Sequence, residues 1–590
     1  MPINVPMHRV KYTNLTKDQI GQRLKAAESI GPTSASELAD VLSGKTFRIV
    51  TDEGPTLNYE FTGKNRLTLS VNGGAKAEAG YGALTMEQGV IFSHLIPGAQ
   101  KGYNVFIDLR TDLATVIEVW FSSGMKIGTQ AKNDIIVEDR EVQREVYFGY
   151  IEVAGKNPPK ERHHRTNRME GKGLYWKQDT GIETLEFYVS VASANFVELT
   201  RYTDYLGYCS PSDYVLINDN MFVHNRAEAE FSGIFTMFVI DLFSVTQAGV
   251  RLGFNERDEL EYFMFRGEGE IVGQIARLDS FGEHGLVAMG AQSNDLQATV
   301  KGQRLVYRPA RTFQYMTNEE MHEAALKRTL AFGEGVPTSM AVNNMPFTEK
   351  LAGREFTLRF DRIGPARHYR FQEGYELNYR DDGEAQWREV EYRAYEADRN
   401  LFYFTHILTD SKPRASVQVI VDFANGLTTC IHSSMGTEYY GNETTYYPLF
   451  GVMEMKGVDP PRYTRHELTD ELIGQCFSMS WSDQLTSMHL YTSADSMCWT
   501  IFTDDQIRGS QWSSPAMFIK FRPQVYLIVQ NEEACNGVQM TLLLNRKIMR
   551  SCGCEFSGGA RGVMLYPTGA YVRHIGKFDV KRFYVPKRTN

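Results

Sequence analysis

The chain repeats itself: a segment of roughly 290 residues occurs twice in tandem, so one copy must fold into something that tolerates a second copy of itself beside it. Four landmarks carry the repeat. LTKDQIGQRLKAAESIG (15–31) and MTNEEMHEAALKRTLAFG (316–333) both read as amphipathic helices, with Thr16 or Thr317 placed to cap and Glu320 completing a capping box. LSGKTFRIVTDEGPTLNYEF (42–61) pairs with LAGREFTLRFDRIGPARHYRF (351–371) as strand, turn, strand. FSHLIPGAQKGYNVFIDL (92–109) matches FTHILTDSKPRASVQVIVDF (404–423), two hairpins around a loop carrying Gly or Pro. YFGYIEVAGKNPPKERHH (147–164) corresponds to PLFGVMEMKGVDPPRYTRH (448–466), where Pro158-Pro159 and Pro460-Pro461 interrupt the strand pattern and read as linkers.

The same hairpin recurs more weakly after each linker, as FVHNRAEAEFSGIFTMFVIDL (222–242) and IVQNEEACNGVQMTLLLN (528–545). Four units follow, in agreement with a length too great for one core. Outside the two helices the chain is mostly short alternating runs punctuated by Gly, Asp and Asn, which predicts mainly-β meanders closed into antiparallel barrels, since closure removes exposed strand edges. The expected organisation is a leading helix (1–34), barrel 1 (35–157), barrel 2 (158–310), a linker helix (311–345), barrel 3 (346–459) and barrel 4 (460–590).

Composition narrows the partners. A net charge of -9 without a Lys/Arg-rich run leaves no footprint for nucleic acid or an anionic membrane. Aromatics, at 12%, suffice to line several pockets for a small aromatic or hydrophobic molecule. No apolar run of signal or membrane-spanning length occurs, which predicts a cytoplasmic protein. Seven scattered cysteines predict core thiols rather than a disulfide framework, and no metal or other cofactor is expected. P-loop, GxSxG, dinucleotide and HExxH motifs are all missing from the sequence.

Aligning the four hairpins places His94, His406, His224 and Gln530 at one strand position, and Asp108, Asp422, Asp241 and Asn545 at another. Two residues on, and so on the same face, stand Ile96, Leu408, Arg226 and Glu532. A histidine facing a barrel interior can exchange a proton near neutral pH, or it can simply fill the barrel and hydrogen-bond a neighbour. The repeated aspartates read as acceptors for turn amides. The leading catalytic candidates are His224 with Arg226, the arginine holding a carboxylate while the histidine moves a proton; Glu532 beside Gln530 is the alternative. NRAEAE (225–230) and NEE (531–533) also read as solvated hairpin tips. His163, His164 and Arg165 read as a polar linker, because no carboxylate or cysteine stands at metal-ligand spacing.

At GKTF, DEG, LNYEF, HLIPG and VFIDL, and at their second copies, the chain resembles the molybdenum-cofactor biosynthesis protein F (MoaF) family, whose members have two such domains. The resemblance implies lipocalin-like barrels, and it covers most of the chain about twice over. More distantly the hairpin order is similar to phenolic acid decarboxylase, a cofactor-free lipocalin-like barrel that uses inward Tyr, Arg and Glu. At the place of that family's Glu stand Ile96, Leu408, Arg226 and Glu532, so only Glu532 fits, with Trp176 and Trp481 near the place of its tyrosines.

The resulting expectation is a cofactor-independent lyase, with decarboxylation the leading chemistry, that acts on a small aromatic or apolar carboxylic acid. His94, His406, Trp176, Trp481 and Gln530 would line the binding surfaces. The alternative is a non-catalytic carrier or sensor for a hydrophobic metabolite, with some barrels purely structural and supporting a homodimer.

Overall fold

The computed structural model describes residues 15–27, 30, 37–87, 89–121, 135–136, 142–189, 193–200, 205, 207–228, 234–255, 257–276, 312–313, 316–333, 339–361, 364–437, 440–501, 511–532 and 537–584. Cys535, the tips of the hairpins after Glu228 and after Glu532, and the expected boundary between the two halves lie outside the described residues.

Alternating side chains explain the barrels. In barrel 1, eight sequential antiparallel strands run from Thr46–Thr51 to Val142–Ile151, and the first pairs with the last through Ile49 and Ile151. One face of each strand fills the interior with Tyr59, Phe61, Tyr81, Phe92 and Tyr103, all at most 1% exposed. On the later strands the other face, including Ile91, Phe106 and Ile117, is also buried, against barrel 2. Strands covered on both sides read as continuous apolar runs, which is why GVIFSHLI shows no polar alternation.

Barrel 2 closes through Lys172 and Gln274, with Leu260–Gln274 as one long returning strand. Barrel 3 closes through Thr357 and Glu454, and its fourth strand bends at Tyr392 into Arg388–Glu391 and Arg393–Asp398. Barrel 4 closes through Gln475 and Lys577, and its returning strand breaks at Gly569-Ala570 into Gly562–Thr568 and Tyr571–Lys577. The architecture is therefore four closed or nearly closed antiparallel barrels, as the repeat predicts.

The barrels join in the spatial order 1, 2, 4, 3. One apolar layer joins barrels 1 and 2 and another joins barrels 3 and 4, through Ile420, Ile431, Leu527 and Leu543. A third joins the two halves, from Leu185, Phe187 and Val197 of barrel 2 to Cys476, Met488 and Phe578 of barrel 4. At its centre the cross-strand pair Asn195/Cys209 faces the cross-strand pair Cys498/Ser513. Cys209 Sγ lies 3.6 Å from Cys498 Sγ, and Asn195 Nδ2 donates to Ser513 Oγ at 2.6 Å. These two contacts exchange under an approximate two-fold axis, the arrangement a homodimer interface would have.

Helices α1 (Lys17–Ala26) and α2 (Asn318–Lys327) both open with reciprocal capping boxes, Thr16 with Gln19 and Thr317 with Glu320. After α2 the chain forms Thr329–Ala331, which pairs in parallel with Val563–Leu565 of barrel 4; this pairing departs from the expected all-antiparallel plan. The linkers are pinned alike. Arg162 binds Asp52 and the Pro159 carbonyl, Arg465 binds Asp361 and the Pro461 carbonyl, and His163 and His466 hydrogen-bond Thr115 and Thr429 at 2.9 and 2.8 Å. Within this polar linker His163 is a buried anchor.

Candidate functional site

The fifth strand of each barrel carries the aligned position. His94, His406, His224 and Gln530 all point inward and are at most 3% exposed. In barrels 1 and 3 aromatic and aliphatic side chains dominate the surroundings, with the Arg367–Asp381 ion pair at the rim of barrel 3. Tyr59 Oη meets His94 Nε2 at 3.0 Å, and Tyr369 Oη meets His406 Nε2 at 3.1 Å. Burial lowers these histidines to about 4 and about 3, so both are neutral at physiological pH.

Barrel 2 differs. His224 is sandwiched between Tyr214 and Phe238, with ring centroids at 4.9 and 5.2 Å, and meets Tyr188 edge-on. Its Nε2 hydrogen-bonds Ser212 Oγ at 3.2 Å; its Nδ1 has no hydrogen-bond partner and stands 3.9 Å from Glu186 Oε2. Arg226, one face-step along the strand, donates to Glu186 Oε1 at 2.9 Å and lies 3.8 Å over the Phe196 ring. Tyr188 donates to Glu186 Oε2 at 2.9 Å, and Trp176 Nε1 donates to Tyr188 Oη at 3.3 Å. Beyond Arg226, Glu228 is held by Arg251 at 2.6 Å, and Arg251 also binds Glu261. His224 is lowered well below its ordinary value, first by burial and then by the charges of Arg226 and Arg144. Burial raises Tyr188 well above its ordinary value, with the Glu186 charge adding to it.

The sequence therefore brings His224, Arg226 and Trp176 into one interior. Glu186, Tyr188, Ser212, Glu228 and Arg251 escape a reading of adjacent positions because closure of the barrel gathers them from separate strands. NRAEAE begins as buried strand rather than as a solvated tip, since Asn225, Arg226 and Glu228 are each at most 3% exposed. Arg226 reaches the interior already neutralised by Glu186, so a bound carboxylate would compete with that residue.

In barrel 4, Gln530 and Glu532 lie on the inward face, and Trp481 Nε1 donates to Ser487 Oγ at 2.9 Å. Glu532 is partly buried. Burial and the charge of Glu555 push its carboxyl up to about 8, and burial raises Glu555 to about 7. Glu555 faces Met540 across the strand pair, and Met540 faces Gln530.

The repeated strand-end residues are turn acceptors. Asp108, Asp241 and Asp422 accept amides of Arg110, Phe243 and Ala424 at 2.8, 2.9 and 3.0 Å, and Asn545 accepts that of Lys547 at 2.9 Å. At the mouth of barrel 1, beneath α1, lies a cavity of about 290 Å³ lined by Leu24, Lys25, Arg66, Glu78, Ile96 and Tyr262 among others. Among the described residues no group of three His, Cys, Asp or Glu is placed to hold a metal ion, and no helix is long and apolar enough to cross a membrane.

Four meandering barrels with a histidine or glutamine on the same inward position define a duplicated β-barrel protein. The MoaF N-terminal domain model matches residues 27–123 and again 330–437, and the MoaF C-terminal domain model matches 466–577, together more than half the length. The chain belongs to the MoaF-like family. No curated protein matches it. Among solved structures, a protein described as "a putative beta-lactamase from Burkholderia vietnamiensis" aligns at 20% identity over 19% of this chain and 99% of its own, with a TM-score of 0.15.

Proposed function

We propose that the protein is a cofactor-independent lyase acting on a small aromatic or apolar carboxylic acid inside barrel 2, with His224 as the proton carrier. The carrying observation is the buried His224 with a bare Nδ1 beside the Arg226–Glu186 ion pair. Buried charges are costly unless paired, and perturbed ionisable groups gather where chemistry is done. A substrate carboxylate would exchange with Glu186 on Arg226, Glu186 taking up a proton from solvent as it leaves; neutral His224 would accept the phenol proton of the substrate and, as the imidazolium so formed, deliver it to the carbon that loses carbon dioxide, the phenolate regaining a proton from Glu186. Decarboxylation is the reading that uses both steps.

The test is incubation of the full chain with 4-hydroxycinnamate, following substrate loss and carbon dioxide release. His224→Gln should abolish turnover while leaving the fold intact. Glu186→Gln frees Arg226 and should tighten carboxylate binding about tenfold, on the scale of one charge-assisted hydrogen bond. The cavity under α1 favours a second reading, a carrier that binds in a barrel mouth. Binding without conversion, lost in Arg66→Ala and kept in His224→Gln, would support that reading instead.

A further inference from the structure

Barrel 4 carries a wall of polar groups that its own fold does not satisfy. Tyr491 Oη, Ser514 Oγ, Gln530 Oε1 and Ser557 Oγ are buried without hydrogen-bond partners, as is His489 Nδ1. Each belongs to a residue at most 6% exposed. Leaving such groups unpaired is costly, so a cluster on one surface marks a place built for something else to bind.

Register puts them together. Ala516, Gln530, Met540, Glu555 and Tyr566 form one continuous cross-strand row. One face-step along lie Ser514, Glu532 and Ser557, and Ser514 pairs with Met497. Tyr491 stands on the same inward face, with Trp481, Phe518, Tyr526 and Met497 supplying flat apolar surface. By contrast, the interior of barrel 1 leaves only His94 Nδ1 in this condition among its described inward side chains.

We propose that barrel 4 binds a small, uncharged, polyhydroxylated ring compound against the wall formed by Tyr491, Ser514, Gln530, Glu532, Glu555 and Ser557. The wall mixes donors and acceptors, and an alcohol group both donates and accepts, while the C–H faces of the ring pack on the aromatic side chains. An anion is disfavoured by the two carboxyls. Both carboxyls are raised by burial, so at mildly acidic pH, below both values, they serve as O–H donors. The titratable groups around them are Tyr566, which hydrogen-bonds Glu555, with Tyr491 and His489 on the strands across the barrel. Burial lowers His489 to about 3 and raises Tyr491, so neither changes charge in the relevant range. Arg561 stands exposed in the turn between the strands of Glu555 and Tyr566, and from barrel 3 Asn442 meets Gly537, with Glu443 beside it bonded to Thr437 at 2.5 Å.

The ligand binds the wall with both carboxyls protonated, so affinity should fall as pH rises through their titration. The experiment is calorimetric titration of the full chain with myo-inositol and with D-glucose at about pH 6 and about pH 9, either side of that range. At least one probe should bind at the lower pH and bind at least tenfold more weakly at the higher. Glutamine mimics a protonated glutamate, so the E532Q/E555Q variant should retain binding and lose its pH dependence. E532Q alone, at the partly buried rim, should halve that dependence and serves if the double variant does not fold. Absence of binding by both probes, or an unchanged pH dependence in the glutamine variants, overturns the proposal. So does tetramethylammonium binding that strengthens at high pH and disappears in E532Q.

Discussion

Barrels 1 and 3 place a tyrosine against the inward histidine, Tyr59 on His94 and Tyr369 on His406, whereas barrel 2 surrounds His224 with charge. The two N-terminal-type barrels have themselves diverged at one rim, where Leu57 and Val71 of barrel 1 stand at positions taken in barrel 3 by Arg367 and Asp381, joined at 2.6 and 2.9 Å. Tyr59→Phe removes one buried neutral hydrogen bond and should lower stability by about 1 kcal/mol in urea denaturation. Arg226→Ala strands Glu186 without its cation and should cost roughly 3–5 kcal/mol, whereas replacing Arg226 and Glu186 together by leucine should recover most of it. A double variant no more stable than Arg226→Ala would show that the ion pair itself holds the barrel. Acid should unfold the protein early. His94, His163, His406, His432, His466 and His489 are lowered to between about 3 and about 4, so folding excludes protons that the unfolded chain accepts below its ordinary value of 6.5. Stability is complete above that value and is lost as pH falls toward about 4, at about 1.4 kcal/mol per unit for each such histidine. Glu532 and Glu555 act in the opposite sense, contributing at low pH and losing that contribution as pH rises through about 7 and about 8. The midpoint of urea denaturation against pH checks both limbs.

At the level of elements, the sixth strand of every barrel ends in a side chain that folds back on its turn. Asp108→Ala should therefore lower stability by about 1–2 kcal/mol, and Asp108→Asn by less, because an amide oxygen still accepts the Arg110 and Thr111 amides. Equal losses in the two variants would assign the effect to charge instead. These helices, hairpins, turn residues and linkers were legible because each depends on contacts within a few residues. The fourth strand of barrel 3 and the last of barrel 4 were not legible as single broken strands. Their breaks at Tyr392 and Gly569-Ala570 answer to barrel closure, and that depends on partners far along the chain.

The whole molecule is a covalent pair. The layer between barrels 2 and 4 is largely apolar, with the Asn195–Ser513 hydrogen bond at its centre, and nearly self-complementary, with Phe578 seated on Gly173, where even a Cβ would fall 2.5 Å from its ring. A chain cut to residues 311–590 exposes that surface, and light scattering should find it dimeric while the full chain stays monomeric; a monomeric half would show that the layer is not self-complementary. Cys209, Cys430, Cys476, Cys498, Cys552 and Cys554 are buried, so thiol reagents should modify these six only as the protein unfolds.

The sequence by itself determined the duplication, the four hairpins, the capped helices, the inward histidine position and the strand-end turn residues. It could do so because period, capping and turn chemistry act between near neighbours. Only the tertiary structure decided that Arg226 meets Glu186, 40 residues away, that Glu555 comes close enough to Glu532 for its charge to act on it, and that the two halves meet through barrels 2 and 4. Those encounters depend on which strands close a barrel and which outer faces bury one another, and no local pattern of residues encodes either.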